Sequence, residues 1–333
     1  MRGINNMREA LLNIEGLKKY FPVRKGFFSR VYIKAVDGVD LHLGRGEAIS
    51  VVGESGCGKT TLGKTILRLY EPTDGKIFFN GKDITHLKSN ELKWYRRETG
   101  LVQQDPFGAL PPFMTVRRIL EEPLVIQGIK DRKGRERRIH NALEQVRLTP
   151  IEDFIKKYPH MLSGGQQQRL VIARAIILEP KLIIADEPVS MLDASVRIEI
   201  LRLLQDLQRK YELSIIYITH DISTTRYFSE KIYIMYAAHI VECADTKEIL
   251  RNPLHPYTKA LLNVIPDPDP SNRFSIKEVP SGEPPDLINP PPGCRFSPRC
   301  PNFMKGICDI KEPAFLEVNK DHYVKCWLYE KAR

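Results

Sequence analysis

Gly53, Gly58, Lys59 and Thr60 in the stretch GESGCGKT satisfy the spacing GxxxxGK[ST]. The stretch directly follows the apolar run AISVV and opens the helical pattern TTLGKTILRLY, so it carries the strand–loop–helix context that this motif requires. Glycines at these positions let the chain wrap phosphate oxygens with backbone N–H groups, and the helix N-terminus adds positive potential. Lys59 is expected to meet the β and γ phosphates of ATP, and Thr60 to ligate Mg²⁺. The candidate ATP contacts are Gly53, Glu54, Ser55, Gly56, Cys57, Gly58, Lys59, Thr60 and Thr61. Cys57 reads as a small filler of the loop, since no neighbouring residue pairs with it as a redox thiol.

A second element, LIIADEP, is a buried-strand run ending in two acids, Asp186 and Glu187. Carboxylates at the C-terminal end of a strand face the crevice where ligands bind in open α/β sheets. Asp186 is expected to hold Mg²⁺ with its water shell, and Glu187 to act on the attacking water as general base. An acidic pair after a strand is ordinarily a helix cap; its company with a phosphate-binding loop reverses that reading.

The elements that must carry these residues alternate. AISVVG precedes TTLGKTILRLY, KLIIADEP precedes VRIEILRLLQDLQRKY, SIIYITHD precedes a shorter helix, and KIYIMY follows. Such alternation implies a parallel sheet with right-handed crossovers. Residues 91–165 break the rhythm with Trp94, Pro111–Pro112 and the periodic NALEQVRL, and read as a mostly helical insertion. Fourteen of the 24 prolines lie between Pro253 and Pro313, a composition that does not continue an ordinary α/β core. The expected organisation is an ATPase core over 1–90 and 166–250, a helical subdomain over 91–165, and a C-terminal extension over 251–333.

Composition sets the outer bounds. The 333 residues are 42% hydrophobic and 28% charged, which excludes disordered and collagen-like chains. The longest apolar candidate, Ile232–Val241, is ten residues long, well short of the roughly 18 that span a bilayer. Glu9 precedes only a very short apolar stretch, so the N-terminus lacks a signal-peptide pattern and reads as cytoplasmic. The net charge of +10 suits anionic partners without choosing among them. Lys130, Arg132, Lys133, Arg135, Arg137 and Arg138 crowd together, but Asp131 and Glu136 interrupt them and no aromatic interleaves; a solvated helix face is expected, not a nucleic-acid patch.

LSGGQQQR, Leu162–Arg169, lies 23 residues before Asp186 and resembles the signature of ABC-type ATPases. Gln104 in QQDP, Asp193 in SMLD, His220 in ITHD and the aromatic pair Tyr20–Phe21 match that family in order and spacing, over about residues 10–250. The resemblance implies an α/β P-loop NTPase core, RecA-like and of ABC type, with a helical subdomain and a small Cys/Pro-rich extension. It also implies a composite site, in which Ser163, Gly164, Gly165 and Gln166 serve the nucleotide of an opposing subunit. By the same resemblance Tyr20 stacks on adenine, with core packing beside Phe21 as the other reading. Gln104 couples Mg²⁺ and water to a membrane partner, Asp193 organises the dimer seam, and His220 contacts the γ-phosphate. Met191 departs from the family's usual small residue and Gln103 from a position often aromatic; neither removes a catalytic group. Nucleic-acid and ribosome ATPases of this type carry coiled coils or tandem domains, whereas this chain has one phosphate-binding loop, one signature and no sustained heptads.

NPLHPYTKALL and GCRFSPRCP are similar to the C-terminal extension of ATPase subunits from oligopeptide and dipeptide importers, and FPVRKGFF, IKAVDGVDL and DEPVS resemble the second of their two paired ATPases. Some such systems move oligosaccharide or nickel. The implied partners are a second ATPase subunit, two transmembrane permease subunits and, indirectly, an extracytoplasmic substrate-binding protein, which places the chain peripherally on the cytoplasmic face of the membrane. Cys294, Cys300, Cys308 and Cys326 concentrate four of the six cysteines in this tail, with gaps of 5, 7 and 17 residues. Four thiolates suit a [4Fe–4S] cluster or Zn²⁺. Some family members resemble iron–sulfur proteins here, so the expectation ranks cluster first, zinc second and free thiols third. A metal would supply folding energy that a proline-rich tail lacks.

Overall fold

The computed structural model describes residues 10–25, 29–264 and 282–330. Glu9, part of FPVRKGFF and the IPDPDP stretch at 265–270 lie outside the described residues. The chain divides into two compact units, one built from 1–42, 49–85 and 219–333, the other from 43–48 and 86–218.

In the first unit, an antiparallel sheet has the order Ser29–Gly44, Ala10–Lys25, Asp74–Phe79, Lys82–Asp83. Leu12 faces Phe79 and Ile14 faces Ile77 across it, and all four are buried. A second sheet has the order Leu316–Asn319, His322–Val324, His239–Asp245, Lys231–Tyr236, Ala48–Val52. Ala48–Val52 runs parallel to Lys231–Tyr236, with Val51 opposite Tyr233. Its five residues, mostly Ala, Ile and Val, are all buried, as expected of a strand covered on both faces.

Two strands that follow Pro313, beyond the proline-rich stretch Pro253–Pro313, extend this sheet. His322–Val324 pairs antiparallel with His239–Asp245, placing Tyr323 opposite Cys243. No proline falls in these two short strands, where a missing backbone donor would cost a ladder bond. The extension also shares a core with the strands it borders: Tyr257 and Phe296 pack on Tyr236 at ring separations of 4.5 and 5.2 Å, alongside Val52, Ile232 and Ile234. The buried Glu242 carboxylate accepts from the backbone N–H groups of Leu254 and His255, at 2.7 and 2.9 Å, and lies 2.8 Å from the His322 ring.

The second unit holds three parallel strands in the order Ser214–Thr219, Leu182–Asp186, Thr99–Val102, with Ile183 opposite both Ile215 and Gly100. Its helices include Val116–Ile126, Arg132–Gln145, Gly164–Ile176 and Ala194–Tyr211. The basic cluster lies on Arg132–Gln145, which Asp131 caps through the N–H groups of Lys133 and Gly134 and which buries Ile139, Ala142 and Leu143. Arg135 pairs with Glu121 at 2.8 Å and Arg138 with Glu179 at 3.2 Å. Among the described residues no helix is long and apolar enough to cross a membrane.

Candidate nucleotide site

The predicted site residues fall on both units, and each set is positioned by its own. In the first, the loop after Ala48–Val52 leads into the helix Lys59–Ile66. Two of its glycines are fixed by close approach. A Cβ at Gly53 would lie 2.0 Å from the Met235 carbonyl oxygen; one at Gly58, where φ is +108°, would lie 2.0 Å from the Ala35 carbonyl oxygen. Lys59 is buried, and its ammonium donates to the carbonyls of Gly53 at 2.7 Å and Glu54 at 2.8 Å. Ser55, Gly56 and Thr60 are exposed, Glu54, Gly58 and Thr61 half-buried. Cys57 is buried with its thiol pushed up by desolvation, and its carbonyl accepts from the Ala238 N–H at 2.8 Å, consistent with a filler.

Tyr20 lies half-buried on Ala10–Lys25, and its hydroxyl donates to Asp37. Its neighbour Phe21 packs edge-on to Tyr70 at 5.3 Å. Burial and the hydrogen bond to Asp37 both push the Tyr20 phenol above its ordinary range. Burial raises the Asp37 carboxyl, but hydrogen bonds from His239 and Tyr20 and the charge of Arg295 outweigh it and hold Asp37 ionised well below the usual range. His220 is exposed just beyond Ser214–Thr219, next to Asp221, which caps the turn Ile222–Thr225 by accepting from Ser223 N–H at 2.9 Å.

In the second unit, Asp186 ends Leu182–Asp186 and is 8% exposed. Glu187 follows with φ +45°, a left-handed conformation that a non-glycine residue rarely adopts. Neighbours pin that backbone: Glu187 N–H donates to the Ile218 carbonyl at 2.9 Å, and the Glu187 carbonyl accepts from the Ser190 hydroxyl at 3.1 Å. Gln104 is exposed in the loop after Thr99–Val102, followed by Asp105, which caps the helix Pro106–Ala109.

Ser163 opens Gly164–Ile176 with a reciprocal cap. Its hydroxyl accepts from the Gln166 N–H at 3.3 Å, and the Gln166 side-chain oxygen accepts from the Ser163 N–H at 3.0 Å. A Cβ at Gly165 would come within 2.8 Å of Val196, so that glycine lets this helix start approach Ala194–Tyr211. Asp193 is exposed immediately before that helix.

The expected metal centre in the tail is corrected. Cys294, Cys300, Cys308 and Cys326 do converge, lining one enclosed cavity together with Phe296 and Trp327, but its volume is about 10 Å³, that of a single water. Among the described residues no group of three or more His, Cys, Asp or Glu side chains is arranged to hold a metal ion. Burial pushes the Cys294 thiol up to about 11 and Cys326 up to about 12, and raises Cys300. The residues fit neither an iron–sulfur cluster nor zinc. The tail instead packs into the apolar core around Tyr236, Tyr257 and Phe296, with Cys294 and Cys300 against it.

Sequence reasoning passed over Asp37, Tyr257, Arg295 and Arg299. The last three sit inside NPLHPYTKALL and GCRFSPRCP, where only their tertiary contacts reveal them.

Residues 36–190 match the family described as "ABC transporter", and residues 241–308 match "Oligopeptide/dipeptide transporter, C-terminal region". The chain is 44% identical over 328 residues to the oligopeptide transport ATP-binding protein AppF of Bacillus subtilis, covering 97% of this chain and 98% of that protein. It is 43% identical over 299 residues to the dipeptide transport ATP-binding protein DppF of Haemophilus influenzae, covering 89% and 90%. Among solved structures, the dimeric ATP-binding cassette MJ0796 bound to ADP and Pi matches with a TM-score of 0.62 at 30% identity, over 71% of this chain and 98% of that one. CbiO1 from Clostridium perfringens, part of the ABC transporter complex cbiONQ, matches with a TM-score of 0.62 at 27% identity, over 74% and 92%. By fold, by motif order and by likeness along nearly its whole length, the chain belongs to the ATP-binding subunits of ABC transporters of the oligopeptide/dipeptide type.

Proposed function

We propose that this chain hydrolyses ATP to power import of di- and oligopeptides, as one of two ATPase subunits clamped by nucleotide and coupled to two permease subunits at the cytoplasmic face of the membrane. The observation that carries this is the near full-length likeness to AppF and DppF, extension included. On this reading the core, over 1–90 and 166–250, is interrupted by a helical subdomain over 91–165 and followed by the extension from 251.

Lys59 and the loop Gly53–Thr61 hold the phosphates, Tyr20 takes the adenine, and His220 contacts the γ-phosphate. Thr60, Asp186 and Gln104 are hard oxygen donors of the kind Mg²⁺ prefers, and fit that ion. When bound, Mg²⁺ neutralises charge on the phosphates. Glu187 orients and deprotonates the attacking water. Ser163, Gly164, Gly165 and Gln166 present a helix N-terminus suited to the nucleotide of the opposing subunit, and Asp193 borders the seam. Phe107 and Phe113, 64% and 93% exposed just after Gln104, give the second unit apolar side chains with which to grip a permease. A second, related ATPase subunit is the proposed partner, with the substrate-binding protein acting through the permeases.

The test is phosphate release from MgATP by the transporter reconstituted in vesicles. The expected result is hydrolysis that rises when peptide-loaded binding protein is added. Absence of phosphate release at saturating MgATP would overturn the reading.

A further inference from the structure

The extension reaches back to the phosphate-binding loop within the first unit. The Arg299 guanidinium forks onto Glu54, the second residue of GESGCGKT, with Nη1 2.8 Å from Oε2 and Nη2 3.2 Å from Oε1. The Arg299 side chain is only 7% exposed, and its cation lies 5.9 Å from the Tyr236 ring and 6.0 Å from the Phe296 ring. From the helix Pro256–Asn263, the Tyr257 hydroxyl accepts from the backbone N–H of the same Glu54 at 2.9 Å. Tyr257 is itself placed by His255, whose Nδ1 accepts from the Tyr257 N–H at 3.0 Å. Burial lowers the His255 pKa to about 4, which keeps that nitrogen a neutral acceptor.

A second arginine of the same motif makes a parallel contact. Arg295, 7% exposed, donates to Asp37 and to the Ala237 carbonyl. Asp37 in turn accepts from Tyr20, and the next residue after Ala237 donates its N–H to the Cys57 carbonyl of the loop. The turn bearing both arginines is tied by backbone bonds: the Cys294 N–H donates to the Cys308 carbonyl at 2.8 Å, and the Ser297 N–H to the Cys294 carbonyl at 2.9 Å.

A partly buried ion pair adds little net stability, because desolvation offsets its attraction, but it fixes geometry through directional bonds. What Arg299 fixes is the residue whose carbonyl accepts from the Lys59 ammonium. We infer that Arg299, supported by Tyr257, is a positioning residue for the phosphate-binding loop, so that the C-terminal extension sets the affinity of this subunit for MgATP. The inference rests on reading Gly53–Thr61 as the ATP site.

The test is a double-mutant cycle on the full chain: Glu54→Gln, Arg299→Lys and both together, read by the dissociation constant of trinitrophenyl-ATP with Mg²⁺ and by melting temperature. Lysine keeps the charge and the aliphatic stem but loses the fork. Each single change is expected to weaken binding about tenfold, and the double change no more than either alone, since one shared contact is lost. For Arg299→Lys in the assembled transporter, KM for MgATP rises by a similar factor while kcat moves less than about twofold, a split that loss of uniform binding gives and general loosening does not. Single variants that bind as the unchanged protein does, or effects that multiply in the double variant, would overturn the inference. If Arg299→Lys melts early, Glu54→Gln alone decides: full affinity in that variant is the overturning result. Lys59→Ala separates the two claims. Undiminished nucleotide binding there sinks the ATP site itself, whereas loss of binding there with no coupling in the cycle sinks only the role of Arg299.

Discussion

Replacing Glu187 by glutamine is expected to lower steady-state phosphate release by about 10²–10⁴-fold, the usual contribution of a positioned general base, while nucleotide binding is retained. Glutamine matches glutamate in shape and removes only the basic oxygen. The backbone that places it is held independently of the carboxylate, by the bonds to Ile218 and Ser190, so the variant keeps the φ of +45°. With chemistry stopped and ATP still bound, two subunits should remain clamped, seen as an ATP-dependent shift to a dimer in size-exclusion chromatography with light scattering. Turnover at the normal rate in Glu187→Gln would remove the general-base assignment.

The second large effect is expected at Gly58. Alanine there faces a φ of +108° and places its Cβ 2.0 Å from the Ala35 carbonyl oxygen and 2.9 Å from Met235 Cε. The carbonyl belongs to backbone and cannot rotate away as a side chain could. The loop and the first turn of Lys59–Ile66 must therefore shift, and with them the N–H groups proposed to meet phosphate. Strain of about 1–3 kcal/mol per such residue, with the clash added, corresponds to MgATP affinity reduced on the order of a hundredfold and a lowered melting temperature. Gly56→Ala is the matched control. Its φ is +78°, but nothing lies within 4 Å of the added Cβ, so it carries backbone strain alone and should bind more tightly than Gly58→Ala by isothermal titration. Equal affinities in the two variants would show that the close approach to Ala35 is immaterial.

The parallel strands were legible because both of their faces are covered, so AISVV, LIIAD and SIIYIT are buried throughout and dominated by Ala, Val, Leu and Ile, with no polar alternation. The antiparallel sheet was not. In Ala10–Lys25 the two-residue alternation fails at Gly16, where φ is +56° and the register shifts between Glu15 and Lys18, and the pattern loses its period. The glycine loop before Lys59, the acids Asp186 and Glu187 and the LSGGQ turn are each contiguous in sequence, so local spacing was enough to single them out as candidates. The Glu54–Arg299 contact joins residues 245 apart, and no spacing rule reaches that far. In the tail, sequence composition gave the convergence of four cysteines but not their surroundings. Thiols pressed around a cavity of about 10 Å³ beside Phe296 act as small apolar side chains, and that follows from burial alone.

The account stands most directly on ATP-driven uptake of a labelled oligopeptide into vesicles that hold the reconstituted transporter, with MgATP inside and peptide-loaded binding protein outside. The prediction is accumulation against a gradient with the unchanged chain and none with Glu187→Gln. Equal accumulation with the two chains would contradict it.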